Sequence, residues 1–178
     1  TVTQPVTGIT LNSDYQELWV GAKYAIIPNI EPYDAENKNV TYRSSDPDVA
    51  TVDEMGVVTA VKGGSCVIIV TTEECQLTAA CTIDVKEYVS SITLSETHKF
   101  MNVGTSGTLT ATVGSDTATN KNIIWTSSDN SICSVDSYGT LNAGEPGIAV
   151  ITVTAADGSG VSATCVVQVV NPVTSIRI

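Results

Sequence analysis

The sequence predicts an all-β fold made of two tandem β-sandwiches with about seven strands each. Three observations support this prediction. Thr, Val, Ser and Ile dominate the composition and strong helix formers are scarce, which favours strands. Apolar residues recur at every second position in short runs, as they do in strands buried on one face. The chain also carries nearly the same ten letters twice, NKNVTYRSSD from Asn37 and NKNIIWTSSD from Asn120.

The repeat covers the whole chain. ITL at residues 9–11 recurs at 92–94, an offset of 83 residues, and the offset becomes 84 where Cys165 repeats Cys81. The other matched positions are Val20-Gly21 with Val103-Gly104, Val52-Asp53 with Val135-Asp136, Gly56 with Gly139, and Gly64 with Gly147. We therefore expect one module over residues 1–87, a second over 88–171, and the start of a third over 172–178, where VTSIRI follows the pattern of VTGITL.

Period-two alternation places the strands within each module. In the first copy the inward residues are Tyr24/Ile26/Ile30, Val40/Tyr42, Cys66/Ile68/Val70 and Cys81/Ile83/Val85, and in the second they are Leu109/Ala111/Val113, Ile123/Trp125, Ile151/Val153 and Cys165/Val167/Val169. Tyr42 and Trp125 are expected to pack between the two sheets. Pro28 interrupts the first run, which predicts an edge or bulged position there.

Turn signals separate the predicted strands. DEMG at residues 53–56 and DSYG at 136–139 each end in a glycine suited to a positive φ. DGSG at residues 157–160 is typical of a later hairpin turn.

The order of these motifs resembles the bacterial immunoglobulin-like domain, group 2. The shared pattern runs Ile-Thr-Leu, Val-Gly, aromatic-x-Ser-Ser-Asp, Val-Asp-x-x-Gly-x-Val/Leu-x-Ala, and then Gly before Ile-x-Val-Thr. The resemblance covers essentially the whole chain twice, plus the first strand of a third copy. It implies immunoglobulin-like sandwiches in an extracellular, cell-surface or cell-wall-associated protein of bacterial or phage origin.

Charge and hydropathy exclude two classes of partner. The net charge is −11 and the pI is near 4.2, which argues against a nucleic-acid binder because phosphate contacts need basic residues. The longest apolar run, residues 66–70, is far shorter than the ~20 residues of a membrane helix. We expect no membrane insertion by this segment.

The sequence offers little for catalysis. His98 is the only histidine and no motif surrounds it, so we expect a surface loop residue. A Gly-rich phosphate loop, an HExxH motif and a Cys-x-x-Cys pair are all missing from the sequence. We therefore expect no enzyme activity, no catalytic residue and no organic cofactor.

The five cysteines leave alternatives open. Their odd number means that at least one is unpaired in the monomer. Cys66 with Cys81 and Cys133 with Cys165 share the inward phase, so either pair could form a bridge. We favour free, buried thiols that act as small hydrophobic residues. Cys75, at a hairpin tip, is the one expected to react.

Acidic residues cluster in loops that a sandwich brings to one end. In the first copy we name Asp34, Glu36, Asp53 and Glu54 as calcium candidates, because calcium takes several oxygen ligands. The alternative is that these acidic loop tips are simply solvated.

Exposed aromatic residues are candidates for ligand binding. Trp19 is out of phase with Leu18 and Val20, and its counterpart in the second copy is Asn102. Tyr33 and Tyr138, at loop tips, are weaker candidates in the same role. The alternative is that Trp19 packs under the preceding loop or against a neighbouring domain.

Two functions follow from the repeat and the resemblance. The first is a non-catalytic stalk or spacer in cell adhesion, whose partners are neighbouring repeats joined with almost no linker into an extended rod. The alternative is a ligand-binding module for glycans or host matrix proteins, as an adhesin segment, an accessory module of a carbohydrate-active enzyme, or a phage virion decoration.

Overall fold

The computed structural model describes residues 4–172, and these residues form strands and turns without a helix. The all-β prediction is confirmed. The chain divides into two compact units, Thr1–Glu87 and Tyr88–Ile178. The third copy expected from residue 172 lies, from residue 173 onward, outside the described residues.

Over its described residues, 4–87, the first unit has nine strands in three sheets. The strands are β1 Gly8–Leu11, β2 Tyr15–Trp19, β3 Lys23–Ala25, β4 Pro28–Glu31, β5 Val40–Ser44, β6 Ala50–Val52, β7 Val57–Ala60, β8 Gly64–Thr72 and β9 Thr78–Lys86. They form a four-stranded sheet in the order β2-β9-β8-β5, a three-stranded sheet β3-β7-β6, and the pair β1-β4.

The second unit repeats this plan. Its strands are β10 Ile92–Leu94, β11 His98–Asn102, β12 Ser106–Thr108, β13 Ala111–Val113, β14 Ile123–Ser127, β15 Cys133–Val135, β16 Thr140–Ala143, β17 Gly147–Ala155 and β18 Ser162–Val170. Their sheets have the orders β11-β18-β17-β14, β12-β16-β15 and β10-β13.

Each unit has nine strands over the described residues, where about seven were expected. The chain changes sheet at two breaks, one between β1 and β2, and one between β3 and β4 within the predicted run from Tyr24 to Ile30. β4 begins at Pro28 in the two-stranded ribbon β1-β4, as the edge prediction required. Asn12 joins the two breaks, since its Oδ1 accepts from Ile27 N at 2.9 Å and its Nδ2 donates to Ala25 O at 3.1 Å.

Each unit has its own core between its sheets, and the predicted alternation fills it. The fully buried residues of the first core include Ile68, Val70, Cys81 and Ile83 from the four-stranded sheet and Ala50 and Val58 from the three-stranded sheet. The second core contains the equivalent Ile151, Val153, Cys165, Val167, Cys133 and Leu141. Tyr42 and Trp125 are partly buried against these cores.

The repeated D-x-x-G motif forms the turn of a β-hairpin. In the second unit Asp136 Oδ1 accepts from Tyr138 N at 2.9 Å and from Thr140 N at 2.8 Å. Gly139 follows with a φ of 79°, and a Cβ there would lie 2.3 Å from Leu109 O. Only glycine fits both the conformation and the space.

The repeated Ser-Ser-Asp motif is also structural. Ser45 Oγ accepts from Val67 N at 2.9 Å, and Ser128 Oγ accepts from Val150 N at 2.8 Å. Each serine thereby extends the edge-strand pairing by one position. The near-identical ten letters thus recur because they form the same edge strand and its turn.

The first and last long strands of each unit pair in parallel. β2 runs beside β9 from Tyr15 opposite Thr82 to Trp19 opposite Lys86, and β11 runs beside β18 in the same way. In the first unit the pairing continues with Val20 N donating to Lys86 O at 3.0 Å.

Candidate functional site

The acidic loops of the first unit meet only in part. Asp53, Glu54 and Glu73 line a depression of about 420 Å³ beside Tyr42. Burial, and then the nearby Asp53 carboxylate, raise the pKa of the Tyr42 hydroxyl. Asp53 Oδ1 accepts from Met55 N and Val57 N at 2.9 Å each, so this carboxylate shapes the β6–β7 turn.

The four calcium candidates are not brought together as one site. Asp34 and Glu36 are exposed in the loop after β4 and do not line the depression that Asp53 and Glu54 share. Across residues 4–172 there is no group of three or more His, Cys, Asp or Glu side chains that could hold a metal ion. Calcium binding stays a prediction.

Two carboxylates at hairpin tips hold the start of each unit, a contact that sequence reasoning missed. Glu74 Oε2 accepts from Val6 N at 3.3 Å, and Asp157 Oδ2 accepts from Val89 N at 2.6 Å. The hydrogen bond from the Ser159 hydroxyl, together with those from backbone N–H groups, lowers the pKa of Asp157. Val6 and Val89 are 83 residues apart, and so are Glu74 and Asp157. The repeat in the sequence therefore relates the two contacts and was the signal that could have revealed them.

Two of the three aromatic candidates, Trp19 and Tyr33, lie at opposite ends of the first unit. Trp19 is 42% exposed at the end of β2, beside Lys86, whereas Tyr33 is 90% exposed in the loop at the opposite end of the same unit. The nine residues of β9 separate these ends by about 27 Å. Lys38 Nζ lies 4.7 Å from the centroid of the Tyr33 ring. Tyr138, 84% exposed, belongs to the second unit.

Phe100 is an exposed aromatic residue that the sequence analysis did not select. It lies on β11, is 74% exposed, and faces outward between the less exposed Lys99 and Met101. The signal was present in the repeat, since Phe100 stands where the first copy has Glu17. Phe100, like Trp19, is a large aromatic residue whose counterpart in the other copy is polar.

All five cysteines are free. Cys66, Cys81, Cys133 and Cys165 are buried, and Cys75 is exposed. Burial raises the pKa of each of the four buried thiols, which keeps them in the unreactive protonated form.

His98 is exposed at the first position of β11 rather than in a loop, and its Nδ1 lies 3.3 Å from Thr97 Oγ1. Within residues 4–172 no helix has the length and apolar character needed to cross a membrane.

Comparison with protein families gives a match over both units. Residues 5–83 and 88–167 each match the family described as bacterial Ig-like domain (group 2).

The relatives that this chain matches are longer proteins, of which it spans only part. An uncharacterized protein of Clostridium acetobutylicum is 36% identical over 93% of this chain, and the chain spans 17% of that protein. An Ig-like virion protein of Serratia phage KSP90 is 31% identical over 87% of this chain and 62% of its own length. Among solved structures, the N-terminal four Ig domains of Dscam1 align with a TM-score of 0.60 at 9% identity, covering 94% of this chain and 47% of that chain, which is a likeness of fold alone.

Proposed function

This chain belongs to the bacterial Ig-like domain family, group 2, and from that membership we propose that it is a non-catalytic stalk segment that bears load outside the cell. Its parent would be a bacterial cell-surface or secreted protein acting in adhesion. The observation that carries the proposal is the parallel pairing of the first and last long strands in each unit.

Parallel end strands suit a module that is pulled at both ends. In a tandem array, tension enters a module at its N-terminus and leaves at its C-terminus. Because β2 and β9 run in the same direction, this tension draws them past each other along their length. The five register pairs from Tyr15–Thr82 to Trp19–Lys86 are then loaded together rather than one after another. The pair β11–β18 gives the second unit the same arrangement.

Single-molecule force spectroscopy on the whole chain tests this role. Val20→Pro removes the hydrogen bond from Val20 N to Lys86 O, and we expect it to lower the unfolding force of the first unit sharply. The control is Val58→Ala, which weakens the core from β7 without touching the β2–β9 pairing. The proposal fails if both variants, compared at equal equilibrium stability, unfold at the same force.

A second candidate is the same structural role on a phage particle. The similarity to an Ig-like virion protein favours it. An antibody raised against this chain would label intact bacterial cells under the first proposal and purified virions under the second.

A further inference from the structure

The outer face of the four-stranded sheet in the second unit carries an exposed row in which two apolar side chains flank an amide. Phe100 on β11 lies opposite Gln168 on β18, which lies opposite Ile148 on β17. Phe100 is 74% exposed and Ile148 is 61% exposed, so the row is open to solvent along these three strands. Neighbouring strands are about 4.8 Å apart, and the row therefore spans about 10 Å.

The rows on either side contain no Asp, Glu, Lys or Arg. His98, Val166 and Val150 follow one another across the same strands, and the two valines are half-buried. On the other side Val170, 37% exposed, pairs with Asn102. We call these eight residues of β11, β18 and β17 the outer patch.

The first unit shows that the fold does not need this patch. Its equivalent row is Glu17, Asp84 and Ser65, in the same register on β2, β9 and β8. Lys86 Nζ lies 2.6 Å from Asp84 Oδ2 and 3.6 Å from Glu17 Oε2, so that face is covered by an ion-pair network. Since the same backbone is built with charged residues there, the fold does not require apolar side chains at these outward positions.

The size of the outer patch limits what can bind. The outer patch spans three rows of residues on three strands. With the width of the side chains at its edges included, it measures roughly 15 by 18 Å, or about 270 Å². A stable protein interface buries about 800 Å² on each partner, three times this area. A second copy of the chain is therefore a poor occupant, and a small ligand fits better.

Charge and chemistry identify the class of ligand. The eight residues include no acid and no lysine or arginine, and the chain as a whole carries −11, so an anion is repelled and a cation finds no carboxylate within the patch. A flat aromatic side chain beside an amide offers one apolar surface and several hydrogen-bonding groups. A pyranose ring presents the matching pair, a face of C–H groups and an edge of hydroxyls.

We infer that the outer patch binds a short, uncharged glycan of two or three rings. Phe100 stacks against one ring, Ile148 contacts the next, and the Gln168 amide between them donates to and accepts from ring hydroxyls. This inference goes beyond the stalk role and does not depend on it.

The test uses the whole chain and a panel of neutral trisaccharides built from glucose, mannose, galactose or N-acetylglucosamine, with sialylated and sulfated oligosaccharides as charged arms. We expect a neutral trisaccharide to bind and to shift the amide resonances of Phe100 and Gln168. Phe100→Ala should weaken this binding at least tenfold while the melting temperature is kept. Ile148→Ala should weaken it less, and Ile27→Ala, which truncates an isoleucine of the same 61% exposure in the first unit, should not change it.

Three results would overturn the inference. One is that no neutral trisaccharide binds the folded chain. Another is that Phe100→Ala and Ile27→Ala have equal effects on binding. The third is a concentration-dependent dimer that Phe100→Ala abolishes, which would make the patch a self-association surface. None of these results bears on the unfolding force that tests the stalk role.

Discussion

Gly139 shows why single positions of the repeat are invariant between the two copies. Its φ of 79° lies in the left-handed region, and Leu109 O and the Trp125 ring leave no space for a side chain. Gly56 has the same φ and is closed in by Ile26 O and the Tyr42 ring. The turn motif predicted the positive φ of this glycine. It did not predict the close approach of Leu109 O and the Trp125 ring, because that approach comes from tertiary packing.

Replacing Gly139 separates backbone strain from lack of space. Gly158→Ala, at a φ of 87° with nothing within 4 Å, should cost only the left-handed penalty of about 1–2 kcal/mol. Gly139→Ala should cost a further ~1–3 kcal/mol, because the new methyl group forces its neighbours apart. Urea unfolding followed by Trp125 fluorescence, in a Trp19→Phe background, measures both. Equal losses would show that the strand gives way to the added methyl group.

Three aspartates give the second unit a defined response to acid. Hydrogen bonds lower the pKa of Asp129, Asp136 and Asp157, with the Ser131 hydroxyl, Thr140 N and the Ser159 hydroxyl as the respective leading donors. A lowered folded-state pKa adds stability above the unfolded value near 3.8, and that stability is lost as the pH falls through the folded value.

The corresponding variant changes all three aspartates to asparagine, which keeps an acceptor oxygen without its charge. We expect the wild-type chain to be more stable than this variant at pH 6, and the difference to shrink as the pH falls below about 4 and to vanish below the folded-state pKa values. Urea unfolding at a series of pH values gives the comparison. A difference that stays constant across this range would mean that the charge of the three carboxylates is irrelevant.

The strands show how far local pattern determines an element. Alternation predicted the inward face of β8, β9, β17 and β18 correctly, because a single buried face requires period two. It did not predict the break between β1 and β2, where the chain changes sheet and Asn12 binds the backbone across the gap. It also did not pair the tip carboxylates with Val6 and Val89, since such contacts join residues 68 positions apart.

β17 provides a matched test of its two faces. Ile151 is fully buried, whereas Ile148, three positions earlier on the same strand, is 61% exposed. Ile151→Ala should cost about 2–5 kcal/mol through lost burial and a residual cavity. Ile148→Ala should stay within about 0.5 kcal/mol, as surface changes do. Differential scanning calorimetry of both variants measures the two losses of stability. A large loss of stability for Ile148→Ala would place that side chain in a packed environment.

At the scale of the whole molecule, the negative charge is unevenly divided. Residues 1–87 contain thirteen Asp and Glu against five Lys and Arg, and residues 88–178 contain six against three. The first unit therefore carries −8 and the second −3. The total was evident from composition, and its division between units follows once the repeat is recognised.

This division predicts different responses to salt. Raising the ionic strength from 0.01 to 0.15 M shortens the Debye length from about 30 to about 8 Å, which screens repulsion within each unit. We expect the melting temperature of the first unit to rise more than that of the second. Trp19 fluorescence in a Trp125→Phe chain and Trp125 fluorescence in a Trp19→Phe chain report the two transitions. An equal rise in both would show that net charge does not limit stability here.

The outer patch has a consequence for how such genes diversify. Between the copies, buried positions are kept apolar, as in Ile68 and Ile151 or Val85 and Val169, while outward positions change freely, as in Glu17 and Phe100. Alternate residues of a strand face opposite sides, so mutation can alter recognition without touching the interior. If the outer patch binds a glycan as inferred, duplication would multiply a stable scaffold whose copies acquire separate specificities, and unequal crossing-over between them would exchange whole specificities in a single event.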